Sequence, residues 1–228
     1  MKKELNQKKH NTALNEVFNM LLYKFVSDNK HREWMTTPFN VGSKTIATDG
    51  HCLISTPLQG GFEDKSEKTE SVYPMIHNLK KQITVDEFNQ KIKEFPTVDC
   101  FDMVVSDCDA CCGSGTVLFE FDHGRQSYEM EDECPVCEGN RKSEVKAKIS
   151  NGKKELDTDK FFKIGNSVFA ISMVEDLIFV AESLKAEYIT IVNQTEPRRP
   201  SLFLINDVEL LLMPTICNDE KNIGQQVS

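Results

Sequence analysis

The chain has 228 residues, 39% hydrophobic and 28% charged, with 27 Lys+Arg against 36 Asp+Glu and a formal net charge of −9. That length holds one large domain or two small ones, and the acidic balance argues against a surface built wholly to coat nucleic acid. Apolar runs such as Leu177–Ala181 and Leu210–Met213 fall far short of the roughly 18 residues of a membrane span. The charged start Met1–Lys9 has no apolar signal core, so the expectation is a cytoplasmic chain that spans no membrane.

Leu14, Val17, Phe18, Leu21, Leu22, Phe25 and Val26 follow the i, i+3, i+4, i+7 series and predict a helix over 14–26 with one buried stripe. Extended runs follow at Trp34–Val41, Lys44–Thr48 and His51–Thr56. Gly42-Ser43 separates the first two. Asp49-Gly50 separates the next two and predicts a type I′ turn, with positive φ at both positions. Gln59–Ser71 is rich in Gly, Glu, Lys and Ser and reads as an exposed loop. Thr84-Val85-Asp86-Glu87 matches a capping box for a short helix carrying Val85, Phe88, Ile92 and Phe95, stopped by Pro96.

After a cysteine-rich stretch over 108–140 and a polar, basic one over 140–154, a second globular segment begins near Leu156. Phe161–Ile171 alternates about Gly165-Asn166 as a hairpin does. Ser172 is placed to cap a helix whose stripe is Met173, Val174, Leu177, Ile178, Ala181 and Leu184. Tyr188–Val192, Ser201–Ile205 and Val208–Met213 predict three strands, and the polar Asn218–Ser228 a disordered tail after Pro214. Each half presents one amphipathic helix to a β-sheet, which is an α+β fold.

Eight cysteines divide into two groups. Cys52, Cys100 and Cys217 stand alone in strand-like segments and read as small buried hydrophobes of a reducing compartment. Cys108-Asp-Ala-Cys111 and Cys134-Pro-Val-Cys137 are two C-x-x-C knuckles with 22 residues between Cys111 and Cys134. Two such turns complete a tetrahedron of thiolates about one structural Zn²⁺, against the competing reading of free thiols or reversible dithiols. Thr116–Phe121 and Gln126–Met130 can pair across Asp122–Arg125 and bring the knuckles together, with Gly113 and Gly115 allowing the bend after the first. A module this small cannot bury a core of its own, and about 10–16 kcal/mol of apparent zinc-binding free energy takes its place. Cys112 is expected to face away from the metal, and His123 to be a turn residue.

Charge bears on partners. From Asp99 to Glu138 there are eleven acidic side chains and one basic, Arg125; such a surface repels phosphates and suits a protein partner. Basic residues gather at Arg141, Lys142, Lys146, Lys148, Lys153 and Lys154, at Lys2, Lys3, Lys8 and Lys9, and at Arg198 and Arg199. A solvated surface is one reading. Phosphate contact by Arg141, Lys142, Lys146, Lys148, Arg198 and Arg199 is the other. No Gly-rich phosphate loop, H-E-x-x-H or G-x-S-x-G is present. His51 and Cys52, as neighbours on a strand, would point to opposite faces, so no catalytic residue is assigned and no enzyme is expected.

Cys108-Asp-Ala-Cys-Cys-Gly-Ser-Gly115 matches C-x-x-C-x-G-x-G and resembles the repeat of the DnaJ-type zinc-binding domain. Cys134-Pro-Val-Cys-Glu-Gly-Asn140 matches all but the last glycine. The family carries four repeats and two zincs; two repeats here imply one zinc. Ala47-Thr-Asp-Gly-His51 with Leu53, and Val208-Glu-Leu-Leu-Leu-Met-Pro214, are similar to segments of the bacterial sliding clamp, the β-subunit processivity factor of replicative polymerase. That resemblance implies a DNA-clamp-like domain, two amphipathic helices on antiparallel sheets, formed by 12–98 and 141–216. A zinc ribbon over 99–140 would be inserted in it, and 217–228 would be a flexible tail. One clamp domain is covered where a ring holds six, so a closed ring would be a homo-oligomer. The outer helix faces, with Glu175, Phe179, Glu182 and Ala186 on one and Asn11, Asn15, Glu16 and Asn19 on the other, carry no basic stripe for DNA. The resemblance implies a non-enzymatic clamp-like accessory protein of DNA replication or repair; the alternative is a protein-binding finger of co-chaperone or regulatory type with no DNA role.

Overall fold

Helix α1 spans Lys2–Lys24 and buries Phe18, Leu21 and Leu22, so the expected stripe forms and the helix starts earlier than its apolar series. The structure is a computed structural model describing residues 2–66, 79–124, 126–146, 149–194, 196–217 and 219–227. Residues 67–71 of the expected loop, Arg125 and Lys148 lie outside the described residues, as do the side chains of Asn11, Lys146 and the N-terminal lysines. The chain divides into two units, one of Met1–Pro96 with Asp157–Ser228 and one of Thr97–Leu156.

In the first unit the extended run expected from Trp34 begins only at Phe39. Lys30–Met35 forms a short 3-10 turn instead, because Asn29 Oδ1 accepts from His31 N at 2.9 Å and the local side-chain bond outcompetes extension. Strands β1 (Phe39–Val41), β2 (Lys44–Thr48) and β3 (Cys52–Pro57) make a meander. The type I′ turn is not formed. Gly50 takes φ +95 without Asp49, whose Oδ1 accepts from His51 N at 2.8 Å and Cys52 N at 2.7 Å and holds the connection by its side chain. His51 therefore lies in the connection, exposed, while Cys52 is buried on β3. Burial first, then Asp49 and Asp176 against Lys24, pushes the Cys52 thiol up to about 12. Gln59 departs from the exposed-loop expectation: it is buried, its N donating to Thr45 Oγ1 at 2.7 Å.

Strand β4 (Lys81–Thr84) runs into helix α2 (Val85–Lys93), with Thr84 Oγ1 accepting from Glu87 N at 3.1 Å as its cap. Buried Phe88 and Phe95 both stack on Phe162, centroids 6.3 and 6.1 Å away.

The second unit is three nested antiparallel ladders. Strand β5 (Thr97–Asp99) pairs with β10 (Lys154–Leu156), β6 (Met103–Asp107) with β9 (Lys142–Lys146), and β7 (Thr116–His123) with β8 (Gln126–Glu133). The polar, basic segment after Asn140 thus supplies strand β9 and the start of β10, and the unit spans Thr97–Leu156. The inner hairpin is longer than expected, its ladder ending where His123 pairs with Gln126. Cys100 lies between β5 and β6, half-buried and in no strand, its N donating to Lys153 O at 2.9 Å.

The chain re-enters the first unit where Asp157 N donates to Pro96 O at 2.9 Å. The expected hairpin forms as β11 (Phe161–Ile164) and β12 (Ser167–Ala170). Helix α3 (Ile171–Ser183) follows directly; Ala170, not Ser172, stands at its N-cap, because the strand runs straight into the helix. Strands β13 (Tyr188–Asn193), β14 (Ser201–Ile205) and β15 (Val208–Leu212) complete a second meander. The tail is not disordered throughout: β16 (Ile223–Val227) pairs in parallel with β11 and buries Val227. Cys217, expected in a strand, is half-buried in the connection before it.

Seven strands form one antiparallel sheet in the order β1-β2-β3-β15-β14-β13-β4, and β12-β11-β16 form another. The first six strands of the large sheet are two three-stranded meanders, each preceded by a helix, that meet through their third strands with Leu53 opposite Leu211 and Ile54 opposite Leu210. The architecture is α+β with few helices, its sheets antiparallel apart from the β11–β16 pair. Among the described residues, no helix is long and apolar enough to cross a membrane.

Candidate metal centre

Cys108, Cys111, Cys134 and Cys137 converge at the base of the β7–β8 hairpin, their sulfurs all within 4.8 Å of one another. All four are buried, and Val117 packs against them. Cys108 Sγ lies 3.9 Å from Cys134 Sγ, and Cys111 Sγ 3.8 Å from Cys137 Sγ. Four thiolates at metal–sulfur distances of about 2.3 Å span tetrahedral edges of about 3.8 Å. The donor set fits a tetrahedral ion with no open position, a structural and not a catalytic arrangement.

The two knuckles repeat one backbone geometry. Cys112, Gly113 and Gly115 take φ of +50, +80 and +87; Glu138, Gly139 and Arg141 take +49, +73 and +65. Each loop then returns its end to the start of the other: Cys134 N donates to Gly115 O and Cys108 N to Arg141 O, both at 2.9 Å. Gly115 N also donates to Cys111 Sγ at 3.3 Å. Arg141 therefore occupies, as a non-glycine, the left-handed position that Gly115 holds in the first knuckle. This crossed pairing was not read from the sequence, although the spacing of Gly113, Gly115 and Gly139 carries its signal.

Ionisation is uneven around the cluster. Burial opposes charge on Cys111, but the N–H groups of Gly115 and Gly113 together with the Cys137 and Cys108 thiols outweigh it and draw the thiol down to about 6. Burial dominates at Cys137, pushed up to about 11. Thiolates are the form that binds a cation, and a bound cation would supply the charge that offsets their burial. Cys112 is exposed and outside the cluster, as expected, and His123 ends β7 with its side chain exposed.

The candidate phosphate contacts that are described fall in both units. Arg141 and Lys142 are exposed beside the second knuckle; Arg198 and Arg199 are exposed on the β13–β14 connection, Arg199 Nε lying 3.7 Å from Glu196. On α3, Glu175, Phe179 and Glu182 are exposed, while Ala186 lies past the helix end. Lys24 is held at the edge of this face, 2.7 Å from Asp176 and 5.0 Å above the Phe179 ring. On α1, Asn15 and Glu16 are exposed, but Asn19 buries its Oδ1 without a hydrogen-bond partner.

No family model matches the chain, and no curated protein matches it. Solved structures that resemble it include a DnaN sliding clamp from Bartonella birtlesii bound to griselimycin, with a TM-score of 0.46 and 12% identity, covering 90% of this chain and 64% of that one. A Helicobacter pylori beta clamp bound to a DNA ligase peptide gives 0.45 at 10% identity, covering 88% and 62%. The Bacillus subtilis DNA polymerase sliding clamp gives 0.45 at 13% identity, covering 90% and 62%. The chain spans less than two thirds of the length of each of these clamps.

Proposed function

We propose that the protein is a non-enzymatic, clamp-like accessory or scaffold protein that binds macromolecular partners in DNA replication or repair. One structural zinc ion, held by Cys108, Cys111, Cys134 and Cys137, organises an inserted ribbon. The observation that carries this reading is the junction of the two helix-plus-meander halves through β3 and β15. The two segments that are similar to sliding-clamp sequence lie on these neighbouring strands: Leu53 of the first faces Leu211 of the second. The repeated left-handed geometry of the knuckles supports the DnaJ-type likeness of the ribbon. A closed Cys₄ site organises a fold and leaves no position for substrate, which supports a binding role.

Metal analysis with light scattering tests the reading. One zinc per chain is expected, and a stoichiometry near zero with the hairpin still ordered overturns the metal assignment. A strict monomer at all concentrations removes the ring form and leaves a scaffold that does not encircle DNA. Arg141, Lys142, Lys146, Lys148, Arg198 and Arg199 remain the proposed phosphate contacts. Through them, log affinity for duplex DNA would fall with log salt by about 0.9 per contact, and salt-independent or absent binding removes DNA from the list of partners.

A further inference from the structure

Side chains alternate across the β7–β8 hairpin and sort it into two unlike faces. Val117, Phe119 and Phe121 share one face with Tyr128 and Met130: Phe119 stands opposite Met130, and Phe121 opposite Tyr128. The Phe121 and Tyr128 rings stack at 5.2 Å, and Val117 ties this face to the cysteine cluster. Yet Phe121 is 54% exposed, Met130 52%, and Phe119 and Tyr128 42% each. Contiguous apolar surface of this kind on a two-stranded ladder marks an interaction site.

The opposite face carries Glu120, Asp122, Glu129, Glu131 and Glu133 together with Leu118, while Asp132 stands on the apolar face opposite Val117. Glu120 and Glu129 are direct cross-strand partners, an arrangement of like charges that weakens a ladder. Among the described residues none of these carboxylates has a cationic partner. The hairpin contains six acidic residues and only Arg125 as a basic one. A second copy of this chain would bring the same negative charge, and phosphate or anionic lipid would be repelled likewise. What complements the hairpin is an apolar stripe bordered by lysines or arginines that reach round its edges to the carboxylates.

We infer that the apolar face of the β7–β8 hairpin is a docking surface for a cationic amphipathic segment of a partner protein. Phe119, Phe121, Tyr128 and Met130 supply the buried contact and the acidic face the attraction. The inference rests on the partner-binding reading above and places the contact on the ribbon.

Fluorescence anisotropy on the zinc-loaded full chain tests it, with a labelled peptide of alternating Leu and Lys as probe and Leu–Glu and Ser–Lys peptides as comparisons. The Leu–Lys peptide should bind, more weakly as salt rises, and the other two should not. F119S/F121S, which alters only exposed side chains, should weaken binding about tenfold or more, and E120Q/E129Q should weaken it while flattening its salt dependence. The variant W34S, at an exposed aromatic of the first unit, should bind as the parent does. Absence of binding to the parent, or equal binding by F119S/F121S, overturns the inference. So does a dimer that F119S/F121S dissolves, which would assign the face to a second copy. Metal analysis of the same samples separates the two readings, since zinc-free protein that binds through Phe119 and Phe121 contradicts the zinc assignment alone.

Discussion

Arg141 and Gly115 occupy equivalent places in the two knuckles, and one carries a side chain where the other has none. A left-handed conformation costs a non-glycine residue about 1–2 kcal/mol, so Arg141 at φ +65 is held there by its surroundings, including its carbonyl bond from Cys108 N. Arg141→Gly should relieve that strain, offset in part by greater freedom of the unfolded chain. The reverse change is worse at Gly115, where a Cβ would come within 2.9 Å of Gly139 O and 3.0 Å of Arg141 Cγ. Gly115→Ala should therefore lower zinc affinity by about tenfold, equivalent to about 1.4 kcal/mol, while Arg141→Gly leaves it unchanged or raises it. Competition with a chromophoric chelator measures both, and equal loss in the two variants would refute the equivalence of the knuckles.

At the scale of elements, Thr84 closes β4 and opens α2 in one residue. Its hydroxyl accepts from Glu87 N, while Val85 N donates to Glu187 O at 3.0 Å. Thr84→Ala should cost about 1 kcal/mol, read as a lower midpoint of urea unfolding; an unchanged midpoint would mean that the tertiary bonds alone set the start of α2. How legible an element was depended on where its stabilisation lies. The stripes of α1 and α3, the meander β13-β14-β15 and the clustering of four thiols announce themselves, because burial or coordination chemistry is written into their own residues. Strands β4, β5, β9, β10 and β16 do not. Lys142–Lys146 is mostly polar, and its pairing is specified by Met103–Asp107 across the ladder; Ile223–Val227 depends likewise on Phe161–Ile164. At Asp49 and Asn29 side chains bond to local backbone groups, a competition that apolar patterning does not register. Of the site, the convergence of the four cysteines was legible from spacing, whereas the crossed bonds between knuckles required both loops in three dimensions.

For the whole molecule, the two units draw their stability from different sources. The first buries Phe88, Phe162, Phe169 and Phe203 among many aliphatic residues. In the second, the described residues that are buried are the four cysteines and Gly115 beside them, while the strands around them are largely exposed. Chelation should therefore unfold the second unit and spare the first. On addition of EDTA, amide exchange should accelerate throughout β6–β9 and remain slow in β14 and β15, with restoration by zinc. Uniform acceleration across both units would show that they unfold as one.

The hydrogen bond from Asp157 N to Pro96 O joins the two points of the first unit's chain between which the second unit is inserted. Sixty residues lie between those points, and a change among them leaves the bond that joins the points in place. A lineage could thus exchange what the scaffold displays while keeping the scaffold itself, as a handle keeps its grip through a succession of blades.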